Sequence, residues 1–155
     1  MKKTLEVMKA CRTKWLTTLS DLTNEELNQI PTGFSNNLAW QLGHVVVSQQ
    51  LLCYKLSGNQ FLVAENLIDL YKNGSKPERN FSAEEIEQMK GYLISTVDQL
   101  VIDLGNGIFE NFTPYTVSTY PGFALENIND VIKFIVSHDA LHYGCSLMMK
   151  KLVKA

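Results

Sequence analysis

Apolar residues recur along this chain with the period of helices. From Lys3 to Leu22, the positions Leu5, Met8, Trp15, Leu19 and Leu22 step by threes and fours with Lys and Glu between them, which predicts an amphipathic helix. Thr23-Asn24-Glu25-Glu26 is a capping box for a short helical turn that Pro31 and Gly33 end. A second helix is expected from about Asn36 to Leu56, with Asn36 or Asn37 as N-cap and Ser57-Gly58 as its stop. Trp40, Val47, Leu51 and Tyr54 form its stripe, and His44 lies inside that stripe. A short helix can form from Leu62 to Tyr71. Ser82-Ala83-Glu84-Glu85 is a second capping box; it opens a third long helix carrying Ile86, Met89, Leu93, Val97, Leu100 and Leu104 up to Gly105.

The last segment, Glu126 to Val153, has a heptad pattern: Ile128, Val131, Ile135, His138, His142, Cys145, Met149 and Leu152. Four long amphipathic segments predict one all-α domain over residues 1–155, a four-helix bundle, with an orthogonal helical array as the alternative. The long connection between the second and third helices permits a crossover. Between Gly105 and Leu125 the periodicity breaks into a long aromatic loop with Phe109, Phe112, Tyr115, Tyr120 and Phe123. Exposing five rings is costly, so most are expected to pack on the bundle end, where the loop covers the site as a wall or lid. Plugging the bundle end or making a dimer contact are the alternatives.

Composition narrows the function. Fourteen Lys plus Arg against sixteen Asp plus Glu give a net charge of -2, so no basic field exists for a nucleic-acid partner. The longest charge-free run, Leu27 to Tyr54, holds Pro31, Asn36, Gln41 and other polar residues and is not a membrane span. No export signal is expected at the N-terminus, because Glu6, Lys9, Arg12 and Lys14 interrupt any apolar core. Cys11, Cys53 and Cys145 form no Cys-x-x-Cys pair and are odd in number, which fits a reducing, cytoplasmic compartment.

The chain has three histidines, His44, His138 and His142, and each falls on an inward stripe. His138 and His142 at i, i+4 share one helix face, the spacing at which two imidazoles reach one metal ion, and a partner helix could present His44 as the third ligand. Three His around an open position is a catalytic zinc set, and imidazole also suits nickel, iron and copper. The alternative is three hydrogen-bonded core histidines, but burying an unpaired polar group costs roughly 1–3 kcal/mol, and three in one seam need shared partners or a ligand.

The stretch Asn36-Asn37-Leu38-Ala39-Trp40-Gln41-Leu42-Gly43-His44, followed by His138-Asp139-Ala140-Leu141-His142-Tyr143-Gly144, resembles the DinB/YfiT-like superfamily over nearly the whole chain. The resemblance implies a four-helix bundle, often a homodimer, with a divalent metal, zinc or nickel, on His44, His138 and His142. It also implies small-molecule chemistry, since characterised relatives include S-transferases using low-molecular-weight thiols. Many members have Gln where this chain has Cys145. A sulfur on that seam could approach the metal as a fourth ligand and close the site, or simply pack as a small hydrophobe.

Ser48, one turn after His44, and Asp139, beside His138, are candidates for supporting the ligands, although Asp139 is expected to be a solvated surface residue. Arg12 on the first helix could receive an anionic substrate or pair with an acid; the plainer expectation is a snorkelling side chain. Trp40 walls a pocket or packs as core. No phosphate loop, G-x-S-x-G elbow or H-E-x-x-H motif is present, and no protein base stands out, so any chemistry falls to the metal. The leading expectation is a metal-dependent transferase or hydrolase; a noncatalytic metal-binding protein and a metal-free helical dimerisation module are the alternatives.

Overall fold

Side-chain caps start most of the helices. The computed structural model describes every residue from Met1 to Ala155 and contains six α-helices and one small hairpin. Helix α1 is Lys2–Leu19, and it ends at Ser20, slightly before the expected Leu22. Helix α2, Asn24–Asn28, begins at the Thr23 capping box, with Thr23 Oγ1 accepting from the Glu26 amide at 3.2 Å and the Glu26 carboxylate accepting from the Thr23 amide at 2.7 Å. Asn37 caps helix α3, Leu38–Gln49, by accepting from the Trp40 amide at 2.8 Å. The helix then widens into a π turn at Gln50–Tyr54 and tightens into a 3₁₀ turn at Lys55–Ser57 before Gly58 stops it at φ 70°. The single helix expected from Asn36 to Leu56 is therefore one continuous rod with three kinds of turn.

Helix α4 is Glu65–Tyr71, helix α5 is Ala83–Gly105 behind the Ser82 capping box, and helix α6 is Ile128–Val153 behind Asn127. Strands β1, Tyr115–Thr116, and β2, Ala124–Leu125, pair antiparallel with Tyr115 opposite Leu125. Both α1 and α3 pack against α5 and against α6. None of these helices is long and apolar enough to cross a membrane.

The apolar interior is divided into two clusters. One holds Trp15, Leu19, Trp40, Val46, Leu93 and Met149; the other holds Met8, Cys53, Tyr54, Val97 and Ile135. Between them each long helix contributes buried polar side chains: Arg12 from α1, Gln49 from α3, Thr96 from α5 and Asp139 from α6. Arg12 Nε donates to Asp139 Oδ2 at 2.7 Å, and its Nη1 donates to Gln49 Oε1 at 2.7 Å and to the Leu93 carbonyl at 3.2 Å. Gln49 Nε2 donates to the Thr96 carbonyl at 2.9 Å. Burying each of these groups alone would cost heavily; together they satisfy most of one another's hydrogen-bonding capacity.

This layer corrects two expectations. Asp139 is not solvated and Arg12 does not snorkel: both side chains are fully buried as an ion pair. Two more corrections come from α6 and the loop before it. A strict seven-residue step slips by about 20° per heptad around a straight helix. Along Val131, His138, Cys145 and Leu152 that slip carries the track out of the core, from 0% exposure at Val131 and 8% at His138 to 47% at Leu152. Cys145 is exposed, and Ser146 takes the inward place. Of the five loop rings, Phe109 packs edge-on against Tyr54 and Phe112 is partly buried, whereas Tyr115, Tyr120 and Phe123 are exposed. Tyr115 lines the cavity beside the helices and Tyr120 meets Phe134 of α6 edge-on at 6.0 Å, yet all three rings keep much of their surface outside the core.

Candidate metal centre

The polar layer opens on one side into a cluster of imidazoles. His44 comes from α3, and His138 and His142 lie one turn apart on α6. Their ring centroids are 5.3 Å apart for His44 and His138, 4.6 Å for His44 and His142, and 4.4 Å for His138 and His142. One nitrogen from each lies within 4.8 Å of the others, and no cysteine or carboxylate joins them. The fold thus brings together the three histidines singled out in the sequence.

Neighbouring groups fix which nitrogen two of the rings offer. His44 Nδ1 is 2.7 Å from the Tyr71 carbonyl, which can only accept, so Nδ1 carries the proton and Nε2 keeps its lone pair. His142 Nδ1 is 2.5 Å from Gln41 Oε1. The Gln41 amide is oriented by its Nε2 donating to Asn36 Oδ1 at 2.8 Å, so it too accepts from a ring N–H and leaves Nε2 of His142 free. Trp40 stacks on the His44 ring at 4.5 Å with planes 12° apart, and Ser48 Oγ stands 3.4 Å from His44 Nε2.

Tyr71 reaches His44 because residue 43 is glycine. A Cβ on Gly43 would lie 2.2 Å from the Tyr71 ring, so only a bare Cα lets α4 settle this closely on α3.

Burial, together with the neighbouring imidazoles, lowers the His44 pKa from 6.5 to about 4 and that of His142 to about 3. Both are neutral at pH 7, the state a metal ligand requires. Nitrogen ligands about 2.1 Å from a tetrahedral ion stand about 3.4 Å apart, so nitrogens that lie within 4.8 Å of one another draw in by at most about 1.4 Å. The donor set fits a divalent ion, and the cluster can hold one. Cys145, being exposed and outside the cluster, is not a fourth ligand.

A cavity of about 660 Å³ lies against the histidines. Trp40, Leu51, Leu52 and Phe134 give it apolar walls, and Tyr115, Val117, Ser118 and Thr119 of the hairpin form its far side. Lys55 is its only ammonium or guanidinium group, and no carboxylate lines it. Sequence reasoning missed Gln41 and the Tyr71 carbonyl. Gln41 precedes His44 by three residues and so shares its helix face, a usable signal; a backbone carbonyl brought in by a separate helix leaves none.

No curated protein matches the chain significantly. Comparison with protein families matches residues 8–146 to the DinB superfamily, a span that includes all three histidines and the buried polar layer. The chain belongs to the DinB superfamily.

Proposed function

We propose that this protein is a divalent-metal-dependent enzyme, built as a DinB/YfiT-like four-helix bundle, that acts on a small molecule through the His44, His138 and His142 centre. The observation that carries the reading is an open three-nitrogen set at the floor of a cavity of about 660 Å³. A saturated structural site would bring a fourth protein ligand, and here no cysteine, carboxylate or further histidine joins the three. Zinc and nickel are the ions we assign, since neutral imidazoles suit both.

The bound ion would supply Lewis acidity, lowering the pKa of a water or small thiol at neutral pH. The chain supplies the rest. Tyr71 and Gln41 hold His44 and His142 in the tautomer that offers Nε2. Trp40, Leu51, Leu52 and Phe134 exclude water from one side of the cavity, and the hairpin walls the other. With no carboxylate in the cavity, no side chain there is an evident general base. This fits transfer from a low-molecular-weight thiol, a nucleophile whose activation consists mainly of losing its proton, and hydrolysis is the second possibility within the same class. A cytoplasmic location follows in this reading from three unpaired cysteines.

We further infer a homodimer. Leu141, Cys145, Met148 and Leu152 form an outward stripe on α6 at four- and three-residue steps, uncharged and with its three large side chains 48%, 54% and 47% exposed. A second copy of the same stripe would cover it in coiled-coil fashion.

The test of the enzymatic reading is turnover. The untagged protein loaded with zinc or nickel is assayed with a small thiol and a panel of alkylating or acyl electrophiles. Metal-dependent product formation that His142→Ala abolishes supports the reading. A fully metal-loaded protein that neither transfers thiol nor hydrolyses any of the panel counts against it.

A further inference from the structure

Two of the three ligand rings have their second nitrogen hydrogen-bonded; His138 does not. Its Nδ1 is buried and has no hydrogen-bond partner. The Asp139 carboxylate presents a second orphan: Oδ2 accepts from Arg12 Nε at 2.7 Å, while the fully buried Oδ1 accepts from nothing. These two orphaned atoms are 3.9 Å apart, about 1 Å beyond a hydrogen bond. A small rotation of either side chain closes that gap, and it would satisfy both groups at once. Gln49 and Thr96 are occupied with Arg12 and with each other, while Arg12 Nη2 and Ser146 Oγ are buried and likewise without a partner; Asp139 Oδ1, with two lone pairs, can therefore accept from Arg12 Nη2 as well as from His138 Nδ1.

We propose that Asp139 is the positioning residue of the metal centre, accepting from His138 Nδ1 through Oδ1 so that His138 Nε2 faces the ion, while Arg12 holds the carboxylate through Oδ2. The proposal rests on the three-His reading of the site. It assigns a purpose to the whole layer: Arg12, itself fixed by Gln49 and the Leu93 carbonyl, ties the α6 carboxylate to α1, α3 and α5 and so sets the height at which His138 meets His44. It also explains the use of a charged pair where an apolar layer would cost less to bury, because a carboxylate raises the basicity of the imidazole that donates to it.

Asp139→Asn gives the sharpest test. The asparagine oxygen has to face Arg12 Nε–H, which turns its amide N–H₂ toward His138 Nδ1. A donor there selects the opposite tautomer, with the proton on Nε2 and no lone pair for the metal. The expected results are a zinc affinity, measured by chelator competition, about 10–100-fold below wild type, and in the metal-free protein a shift of the His138 ring ¹⁵N signals from the Nδ1–H to the Nε2–H pattern. Thr96→Val disturbs the same layer through Gln49 and Arg12 without touching the carboxylate; it should lower stability, lose far less zinc affinity than Asp139→Asn and leave the His138 tautomer unchanged.

Wild-type affinity in Asp139→Asn, or an equal affinity loss in Thr96→Val, would overturn the proposal. So would an Nε2–H pattern for His138 in the metal-free wild-type protein, a result that needs no variant to fold. A wild type that binds no zinc but shows the Nδ1–H pattern would refute the metal reading and leave the Asp139–His138 contact standing.

Discussion

Gly43→Ala sets two opposing effects against each other at a position where their sizes can be compared. Alanine in a helix interior is favoured over glycine by about 1 kcal/mol. Against this, the new methyl would lie 2.2–2.5 Å from three carbons of the Tyr71 ring, where ordinary contact begins at 3.4 Å. The ring must retreat by more than an ångström, yet it is 1% exposed and stacked on Phe81 at 5.1 Å, so no free space receives it. Overpacking of this kind costs typically about 1–3 kcal/mol, and the upper part of the range applies where the ring is boxed in. The net loss is about 1–2 kcal/mol, or roughly 2–4 °C of melting temperature per kcal/mol in a chain of this size. Moving Tyr71 also withdraws the carbonyl from His44 Nδ1, so zinc affinity should fall along with stability. Gly91→Ala is the internal comparison: it is exposed on α5, and its new Cβ meets nothing within 4 Å, so it should gain up to about 1 kcal/mol. Thermal unfolding of the metal-free proteins and a zinc titration read all of these. A Gly43→Ala variant as stable as Gly91→Ala, with wild-type zinc affinity, would refute the close-approach reasoning.

Other outcomes follow from the same geometry. The metal-free protein should be most stable above about pH 6.5 and lose stability as the pH falls toward 4, because the unfolded chain protonates His44 and His142 near 6.5 while burial in the fold delays them to about 4 and about 3; a melting temperature flat across that window would contradict the buried neutral imidazoles. Cys145→Ser should retain full metal content, measured by elemental analysis, since the thiol is exposed and outside the cluster; loss of metal would restore it as a ligand. Phe109→Ala should cost about 3–5 kcal/mol in denaturant unfolding, as a buried ring 5.3 Å from Tyr54. Phe123→Ala, whose ring is exposed, should cost under about 0.5 kcal/mol, and equal losses would contradict the placement of the two rings.

What the sequence disclosed, and what it withheld, divides along local against long-range interactions. The capping boxes at Thr23 and Ser82 were legible because both partners lie within four residues. The histidines were legible because helical period alone puts His138 and His142 on one face and His44 on another helix's stripe. The pairing of Arg12 with Asp139 spans 127 positions, and either residue alone looks like an ordinary surface charge, so burial of both was unreadable. Cys145 was misplaced by treating a straight helix as a strict heptad, an error that grows with every turn beyond Val131. The loop rings were misjudged for a different reason: β1 and β2 are each two residues long, and a hairpin that short leaves no alternating pattern to say which of its rings stay exposed.

Metal stoichiometry bears most directly on the central claim, that His44, His138 and His142 form one divalent-metal site. Elemental analysis of the untagged protein after loading and desalting should give about one ion per chain in wild type, and His138→Ala and His142→Ala should each lose tight binding, because two imidazoles leave positions that water must complete. Wild-type stoichiometry retained in both variants, or no ion in the wild type, would contradict it.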